Sequence, residues 1–255
     1  MLVRIIGGHG GVAPGFKATS YLIDGKLLID AGSVASGILI DEQVLIDHIL
    51  ISHAHLDHIS DLAFISDNCF GLKAKPFQVY SNQKVKDAIK THLMNDVIWP
   101  DFSKLPNEQR PTMSFNVIVP EKELQLAEYK IIPVTVNHPL GGMGFIVEKK
   151  NTSVLFTQDT GPTDRIWEMA HAIKNLKAIF TEVSFPNNLQ DVARISQHHT
   201  PASMKEEIKK MPGDIPIFLG HLKPNFQTIL YKEIEEINSD GRITLLGSDD
   251  TSYVF

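Results

Sequence analysis

A chain of 255 residues with 43% hydrophobic and 21% charged side chains, 17 Gly, 14 Pro and a mean hydropathy of −0.05 is an ordinary globular polypeptide, which excludes disordered, collagen-like and Pro-rich architectures. Folding buries about 73% of the surface of a chain this long, enough for a sizeable core, and we expect a single domain over 1–255. The net charge of −6 offers no general attraction for polyanions, so long nucleic acid is not the expected partner. No apolar run approaches the ~18 residues of a spanning helix, and residues 1–6 reach Gly7 too soon for the apolar segment of a signal peptide. We therefore expect no membrane association and a mature chain that begins as written. The lone cysteine, Cys69, cannot form an internal disulfide and suits a reducing, cytoplasmic interior. With one thiol and eleven histidines, any metal site must be built from imidazole and carboxylate, a set that suits zinc, manganese or iron.

In chain order, residues 2–6, 20–23 and 26–29 read as short strands, and Asp24-Gly25 between the last two is a strong hairpin signal. An N-terminal β-meander is expected. Between its first two strands, Gly8-His9-Gly10-Gly11 with the later Asp30 imitates a dinucleotide fingerprint, yet Pro14-Gly15 blocks the helix that fingerprint requires. A P-loop fails as well, because Phe16 stands where lysine belongs. The glycines read as a flexible loop able to bring backbone close to a ligand, with a plain turn as the alternative. Farther on, apolar spacing predicts helices over 81–96 (Val85, Ile89, Leu93), 163–175 (Ile166, Met169, Ile173) and 225–237 (Ile229, Leu230, Ile234, Ile237), packed on a sheet. Thr200-Pro201 starts another helix, with a capping hydroxyl and a proline at the first helical position. Residues 99–111, rich in Pro, Asn and Asp, read as a loop over the body of the domain.

The apolar runs share one regularity: each ends near a residue able to bind metal. Residues 44–51 run into His53, 130–136 into His138, 153–156 into Asp159, 176–180 into Glu182, 215–219 into His221 and 243–246 into Asp249. In layered α/β folds the ligand crevice lies where strands end and loops begin, so residues ~200 positions apart can meet there. The sharpest local pattern is His53-Ala54-His55-Leu56-Asp57-His58. Imidazoles at i and i+2 of an extended strand end lie on one side and can face one cation; Asp57 and His58, at the start of the following turn, can face a second. Four such groups buried together without a metal would repel one another or stay unpaired. For His138 and His221 the plainer alternative is a hydrogen-bonded histidine beside a strand. For Asp159, followed by Thr160-Gly161-Pro162, it is a helix cap and turn. His9, His48, His92 and His171 lack such surroundings and read as structural.

The order of His53-Ala54-His55-Leu56-Asp57-His58, His138, Asp159 and His221 resembles that of the metallo-β-lactamase superfamily, which implies an α/β fold of four layers, an αββα sandwich. Residues 52–62, Asp159-Thr160-Gly161-Pro162-Thr163-Asp164, Glu182-Val183-Ser184-Phe185-Pro186-Asn187 and Gly220-His221-Leu222-Lys223-Pro224 further resemble the class II 3′,5′-cyclic-nucleotide phosphodiesterases. So do the N-terminal glycine loop, Thr19-Ser20-Tyr21-Leu22 and Leu28-Ile29-Asp30-Ala31-Gly32. The resemblance spans most of the chain and implies two divalent ions, zinc first, with manganese or iron as alternatives. It places His53, His55 and His138 on one ion and Asp57, His58 and His221 on the other, with Asp159 as the bridge. Two ions about 3.5–4 Å apart pull the pKa of a shared water toward about 7 and neutralise a phosphodiester, which is then attacked in line with the departing ribose oxygen. Asp57 is expected to orient the nucleophile, and His198, held by Glu182, to protonate the leaving O3′. The substrate implied is a small cyclic nucleotide, cAMP or cGMP, and the product a 5′-monophosphate; a homodimer is what the resemblance suggests.

Two departures from the family pattern matter. Gln158 stands where family members usually carry Gly, and His198-His199-Thr200-Pro201 holds two histidines where one is usual, so His199 is a second candidate for the acid. Three other functions compete. A tRNA 3′-end nuclease shares the metal pattern, but no Lys/Arg-rich protruding segment is present. A lactone or lactam hydrolase would use the same metals, and a non-catalytic binding module is disfavoured because every expected ligand is retained.

Overall fold

Several strand-forming runs are apolar at consecutive positions rather than alternate ones, so these strands must bury both faces. The computed structural model describes residues 1–246 and 251–255. One sheet contains β1 (Leu2–Gly7), β2 (Ser20–Ile23), β3 (Leu27–Ile29), β4 (His48–Leu50), β5 (Phe77–Ser81) and β6 (Met113–Val117) in that spatial order. The second contains β7 (Leu124–Leu126), β8 (Tyr129–Thr135), β9 (Met143–Lys149), β10 (Thr152–Phe156), β11 (Leu176–Glu182), β12 (Ile217–Gly220) and β13 (Ile243–Leu245). The last strand, β14 (Thr251–Val254), returns to pair antiparallel with β1 at the edge of the first sheet.

Alternation along single strands shows how the layers are made. Ile29 and Leu50 point between the sheets with Phe145, Val147, Phe156 and Phe180, while their neighbours Leu28, Ile49 and Ile51 point outward. In the second sheet Ile146, Leu155 and Ile179 point to the opposite outer face. The inner layer is cemented by stacked rings, Phe156 on Phe180 at 4.9 Å and Phe180 on Phe218 at 4.7 Å. Each fully buried aromatic or branched side chain contributes about 1.5–3 kcal/mol. Helices α1 (Val34–Gly37), α2 (Ile40–Gln43), α3 (Leu56–Asn68) and α4 (Gln83–His92) belong to the first half of the chain. Val34, Ile59, Leu62, Ile65, Val85 and Ile89 cover the outer face of the first sheet. In the second half lie α5 (Arg165–Ala172), α6 (Gln190–Ser196), α7 (Pro201–Ile208) and α8 (Gln227–Ile237). There Ile166, Trp167, Met204, Leu230 and Ile234 cover the second sheet. The result is the expected αββα sandwich, with two sheets between the helical layers.

The meander β1-β2-β3 is antiparallel as expected, and Asn82 and Thr200 cap α4 and α7 through their side chains. The predicted helices are shorter than their apolar spacing, because that spacing continues into their caps and connecting turns. Residues 44–51 contribute only the three-residue β4. The turn expected at Asp57 and His58 is instead the first turn of α3, thirteen residues long, whose inward face carries Ile59, Leu62 and Ile65. No helix among the described residues is long and apolar enough to cross a membrane. Asp249, at the end of the last apolar run, lies outside the described residues.

The topology positions the site. β3 to β6 are parallel, as are β10 to β13, and the antiparallel pairs β8-β9 and β9-β10 align β8 with β10. The carboxyl ends of β8, β10, β11 and β12 therefore share one edge, from which His138, Asp159, Glu182 and His221 emerge. Asp30 and His53 stand just past β3 and β4.

Candidate active site

Imidazole nitrogens and carboxylate oxygens converge where the two sheets meet. His53, His55, His138 and Asp159 offer ligand atoms within 4.8 Å of one another, and so do Asp57, His58 and His221. Asp159 Oδ2 lies 3.6 Å from His53 Nε2, 3.9 Å from His138 Nε2, and 3.2 Å from both His58 Nε2 and His221 Nε2. It thus belongs to the first group and packs against His58 and His221 of the second. His55 Nδ1 closes the first group at 3.0 Å from His53 Nε2 and 3.3 Å from His138 Nε2. Asp57 closes the second, 3.4 Å from His221 Nε2, with Lys223 at 3.7 Å. His53, His58, His138, Asp159 and His221 are buried, while His55 is exposed and marks the open side.

The hydrogen bonds behind these rings fix which nitrogen faces inward. His58 Nδ1 donates to Asp30 Oδ2 at 2.6 Å. His53 Nδ1 donates to Ser52 Oγ at 2.9 Å, and that hydroxyl donates to Asp30 Oδ2 at 2.7 Å. One buried carboxylate orients two imidazoles, one directly and one through a serine. Glu182 repeats the device: His198 Nδ1 donates to Oε1 at 2.8 Å, and His221 Nδ1 donates to Ser184 Oγ, which donates to Oε2 at 2.9 Å. His138 Nδ1 donates to the carbonyl of Gln197 at 3.1 Å. With their outer nitrogens engaged in this way, His53, His58, His138 and His221 all direct Nε2 into the centre; burial would lower His58, but Asp159 and Asp30 outweigh it and raise it well above 6.5, so this ring carries the positive charge that the carboxylates call for. Lone pairs aimed at one another in a dry site are unfavourable unless a cation lies among them. The donor set of nitrogen and oxygen atoms suits divalent zinc, manganese or iron.

The electrostatics follow from the same contacts. Burial depresses the basicity of His53, and the neighbouring His58 adds to the effect; burial likewise lowers His138 to about 4. Both rings are neutral at pH 7, as metal ligands must be. Burial opposes ionisation of Asp159, but His221 and His58 outweigh it and hold the carboxyl well below the usual range. At Asp57 burial is likewise outweighed by the hydrogen bond with His221. Burial would lower His198, yet Glu182 beside it reverses the sign and raises it above 6.5.

The two adjacent histidines separate cleanly. His198 lies 5.1 Å from the His138 ring and stacks on His221 at 5.4 Å, and it groups with Asp159 and His221. His199 is fully buried, turned toward α7, with Nδ1 3.0 Å from Ser203 Oγ. None of His9, His48, His92 or His171 belongs to the groups of potential ligands; His48, for example, pairs with the Tyr80 hydroxyl. Asp159 caps no helix, since Asp164 occupies the N-cap position of α5.

Several supporting residues were missed by reasoning from sequence alone. Asp30 ends the apolar run 26–29, so the strand-end regularity that marked the other residues also marks it. Ser52 and Ser184 carried no signal beyond a small hydroxyl beside a candidate. Gln158 adopts φ 54°, a region disfavoured by about 1–2 kcal/mol for residues with a Cβ, which accounts for glycine as the usual family residue. Here the amide compensates by donating to Asp30 Oδ2 at 2.5 Å. The glycine loop backs a site residue: Gly8 accepts from the amide of His221 at 2.6 Å, and a Cβ on Gly10 would meet His221 Nδ1 at 2.7 Å.

Known proteins share this arrangement of the chain. A probable 3′,5′-cyclic-nucleotide phosphodiesterase of Yersinia pestis is 26% identical over 99% of this chain and 89% of its own length. Unliganded yeast PDE1 superposes with a TM-score of 0.84 at 15% identity, over 99% of both chains. The short form of human tRNase Z superposes at 0.72 with 17% identity, over 100% of this chain and 99% of that one. The model of the beta-lactamase superfamily domain matches residues 27–219. With that match over most of its length and a sandwich that carries a His/Asp cluster at its strand ends, the chain belongs to the metallo-β-lactamase superfamily.

Proposed function

We propose that this protein is a dinuclear-metal phosphodiesterase that hydrolyses 3′,5′-cyclic nucleotides to nucleoside 5′-monophosphates, and that residues 1–255 form one domain built around that site. The observation that carries the reading is the pair of adjoining ligand groups, with Asp159 of the first 3.2 Å from His58 and His221 of the second, supported by the match along nearly the full chain to relatives named for this activity. Two divalent ions, zinc by first choice, would supply an activated water and neutralise the phosphodiester charge. His53, His55 and His138 would hold one, Asp57, His58 and His221 the other, and Asp159 both.

The remaining chemistry belongs to side chains. Asp57, half-buried and kept ionised beside His221, accepts a hydrogen bond from the attacking water and fixes its direction. His198 holds a proton at the nitrogen facing the site, because Glu182 engages Nδ1 and favours the charged ring. It delivers that proton to the departing O3′ as the P–O bond breaks. Glu182 keeps the ring in place and stays ionised. A small substrate suffices, in keeping with a net charge of −6 and no expected role for long nucleic acid or membrane; the cytoplasm and a homodimer remain the setting the sequence suggests.

The test is a product assay on protein loaded with zinc or manganese, run against cAMP, cGMP, pre-tRNA 3′ ends and lactones. Conversion of a cyclic nucleotide to its 5′-monophosphate, abolished by His55→Ala, is expected. Cleavage of pre-tRNA or lactone with cyclic nucleotides left intact at high enzyme concentration overturns the proposal.

A further inference from the structure

Helix α6 leaves apolar side chains in solvent and buries only Ala193. A surface helix normally turns apolar side chains inward and polar ones to solvent, yet here Val192 and Ile195 are exposed, at 44% and 75%. Gln190, Ala193, Arg194 and Gln197, spaced i, i+3, i+4 and i+7, share the other face. That stripe lines a cavity of about 300 Å³, open to solvent and walled on the far side by Pro162. At the end of the helix, Gln197 takes a left-handed conformation, its carbonyl accepts from His138 Nδ1, and its amide donates to Asn137 Oδ1 at 3.1 Å. His198 lines the same cavity and also stacks on His221. The helix with the polar stripe is thus fastened directly to the proposed metal and acid residues.

Resting on the functional reading above, we infer that this cavity is the nucleobase subsite and that Gln190 and Arg194 are its specificity-determining residues. A nucleotide's base lies one ribose away from its phosphate, and the cavity adjoins the proposed proton donor to that ribose oxygen. Ala193 and Pro162 give apolar surface to the face of a ring, while the stripe presents hydrogen-bonding groups to its edge, the composition expected of a small-molecule pocket. The Gln190 amide makes no hydrogen bond among the described residues, and Arg194 has only a loose pairing with Asp191 at 3.7 Å, so both are available. The two groups read different edges: an amide matches the donor and acceptor of adenine N6 and N7, and a guanidinium matches the paired acceptors O6 and N7 of guanine. One site with both readers accepts either purine, each through its own residue.

The experiment is steady-state kinetics of the metal-loaded enzyme with cAMP and cGMP, together with inhibition by 5′-AMP and 5′-GMP. Arg194→Ala is expected to raise KM for cGMP and the inhibition constant of 5′-GMP about fivefold or more, with kcat retained and the adenine values little changed. Gln190→Ala is expected to do the reverse. Ile195→Ala, on the opposite face of the helix, should leave the cAMP:cGMP ratio as it was. If wild-type enzyme hydrolyses cyclic nucleotides and neither Arg194→Ala nor Gln190→Ala alters that ratio, the subsite is wrong while the function stands. If wild-type enzyme hydrolyses neither nucleotide, the functional reading fails and the subsite falls with it.

Discussion

The two halves of the site use the same orienting device on different material. In the N-terminal half, Asp30 holds His58 directly and His53 through Ser52. In the C-terminal half, Glu182 holds His198 directly and His221 through Ser184. In the first half both imidazoles come from one six-residue stretch and both are proposed metal ligands. In the second His198 comes from the turn between α6 and α7 and His221 from the end of β12, and the roles divide: His221 is a proposed ligand and His198 a proposed proton donor. A buried carboxylate that accepts N–H from imidazole therefore does two jobs. It sharpens the inward lone pair of a ligand that faces a cation, and it stabilises the charged ring of a residue that does not.

The comparison can be broken most forcefully at the residue that joins the halves. Asp159→Ala removes the proposed bridging oxygen, and turnover is expected to fall about a thousandfold or more. Metal bound per chain, measured on the purified variant, should fall as well. Two tightly held ions and a near-normal rate would disprove the bridging role. A smaller loss separates donor from ligand: His198→Asn is expected to lower kcat by about 10²- to 10⁴-fold while metal content stays intact. His199→Asn, beside it but turned toward α7, should act on stability more than on rate.

The pH profile carries the sign of the Glu182 contact. His198 is raised above 6.5 in the folded protein, so the protonated donor persists past that pH and is lost as pH rises through the raised value. Glu182→Gln removes the largest raising influence, and the alkaline fall in rate should begin at lower pH. A limb that does not move would assign the proton to another group. The smallest expected effect compares the orienting shells themselves. Asp30→Asn and Ser184→Ala should each weaken metal affinity, within about 10- to 100-fold, as read by competition with a chelator. Asp30→Asn should lie at the upper end because it loosens two proposed ligands, whereas Ser184→Ala loosens one. Equal effects would mean that Asp30 acts on His58 alone.

Legibility from sequence followed the same division. The stretch from His53 to His58 was readable because the geometry of four donors is local, set by the strand end and by a turn that proves to be the start of α3. His138, Asp159 and His221 were readable only through the run-end regularity and the family resemblance, since nothing in their immediate neighbours distinguishes a ligand from a satisfied polar residue. The supporting shell was mostly silent. Gln158 looked like a departure from the family, and only its reach of 2.5 Å to Asp30, from the other sheet, gives it a purpose. Spacing favoured His198 over His199 without excluding the second ring, because the rotation of the chain between α6 and α7 decides which one turns toward Glu182.

What the amino-acid order determined on its own was chemical and local: a site of imidazole and carboxylate, strands apolar on both faces, and candidates placed where those strands stop. The convergence of distant segments on Asp159 and the direction each ring faces were decided in three dimensions. The physical reason is one of range. Side-chain periodicity and turn geometry act over a few residues. The direction of a buried lone pair depends on a hydrogen bond to a carboxylate well outside that range, 28 residues away for His58 and Asp30, and the two orienting clusters meet only because the sheets pack, as the 128-residue reach of Gln158 to Asp30 shows.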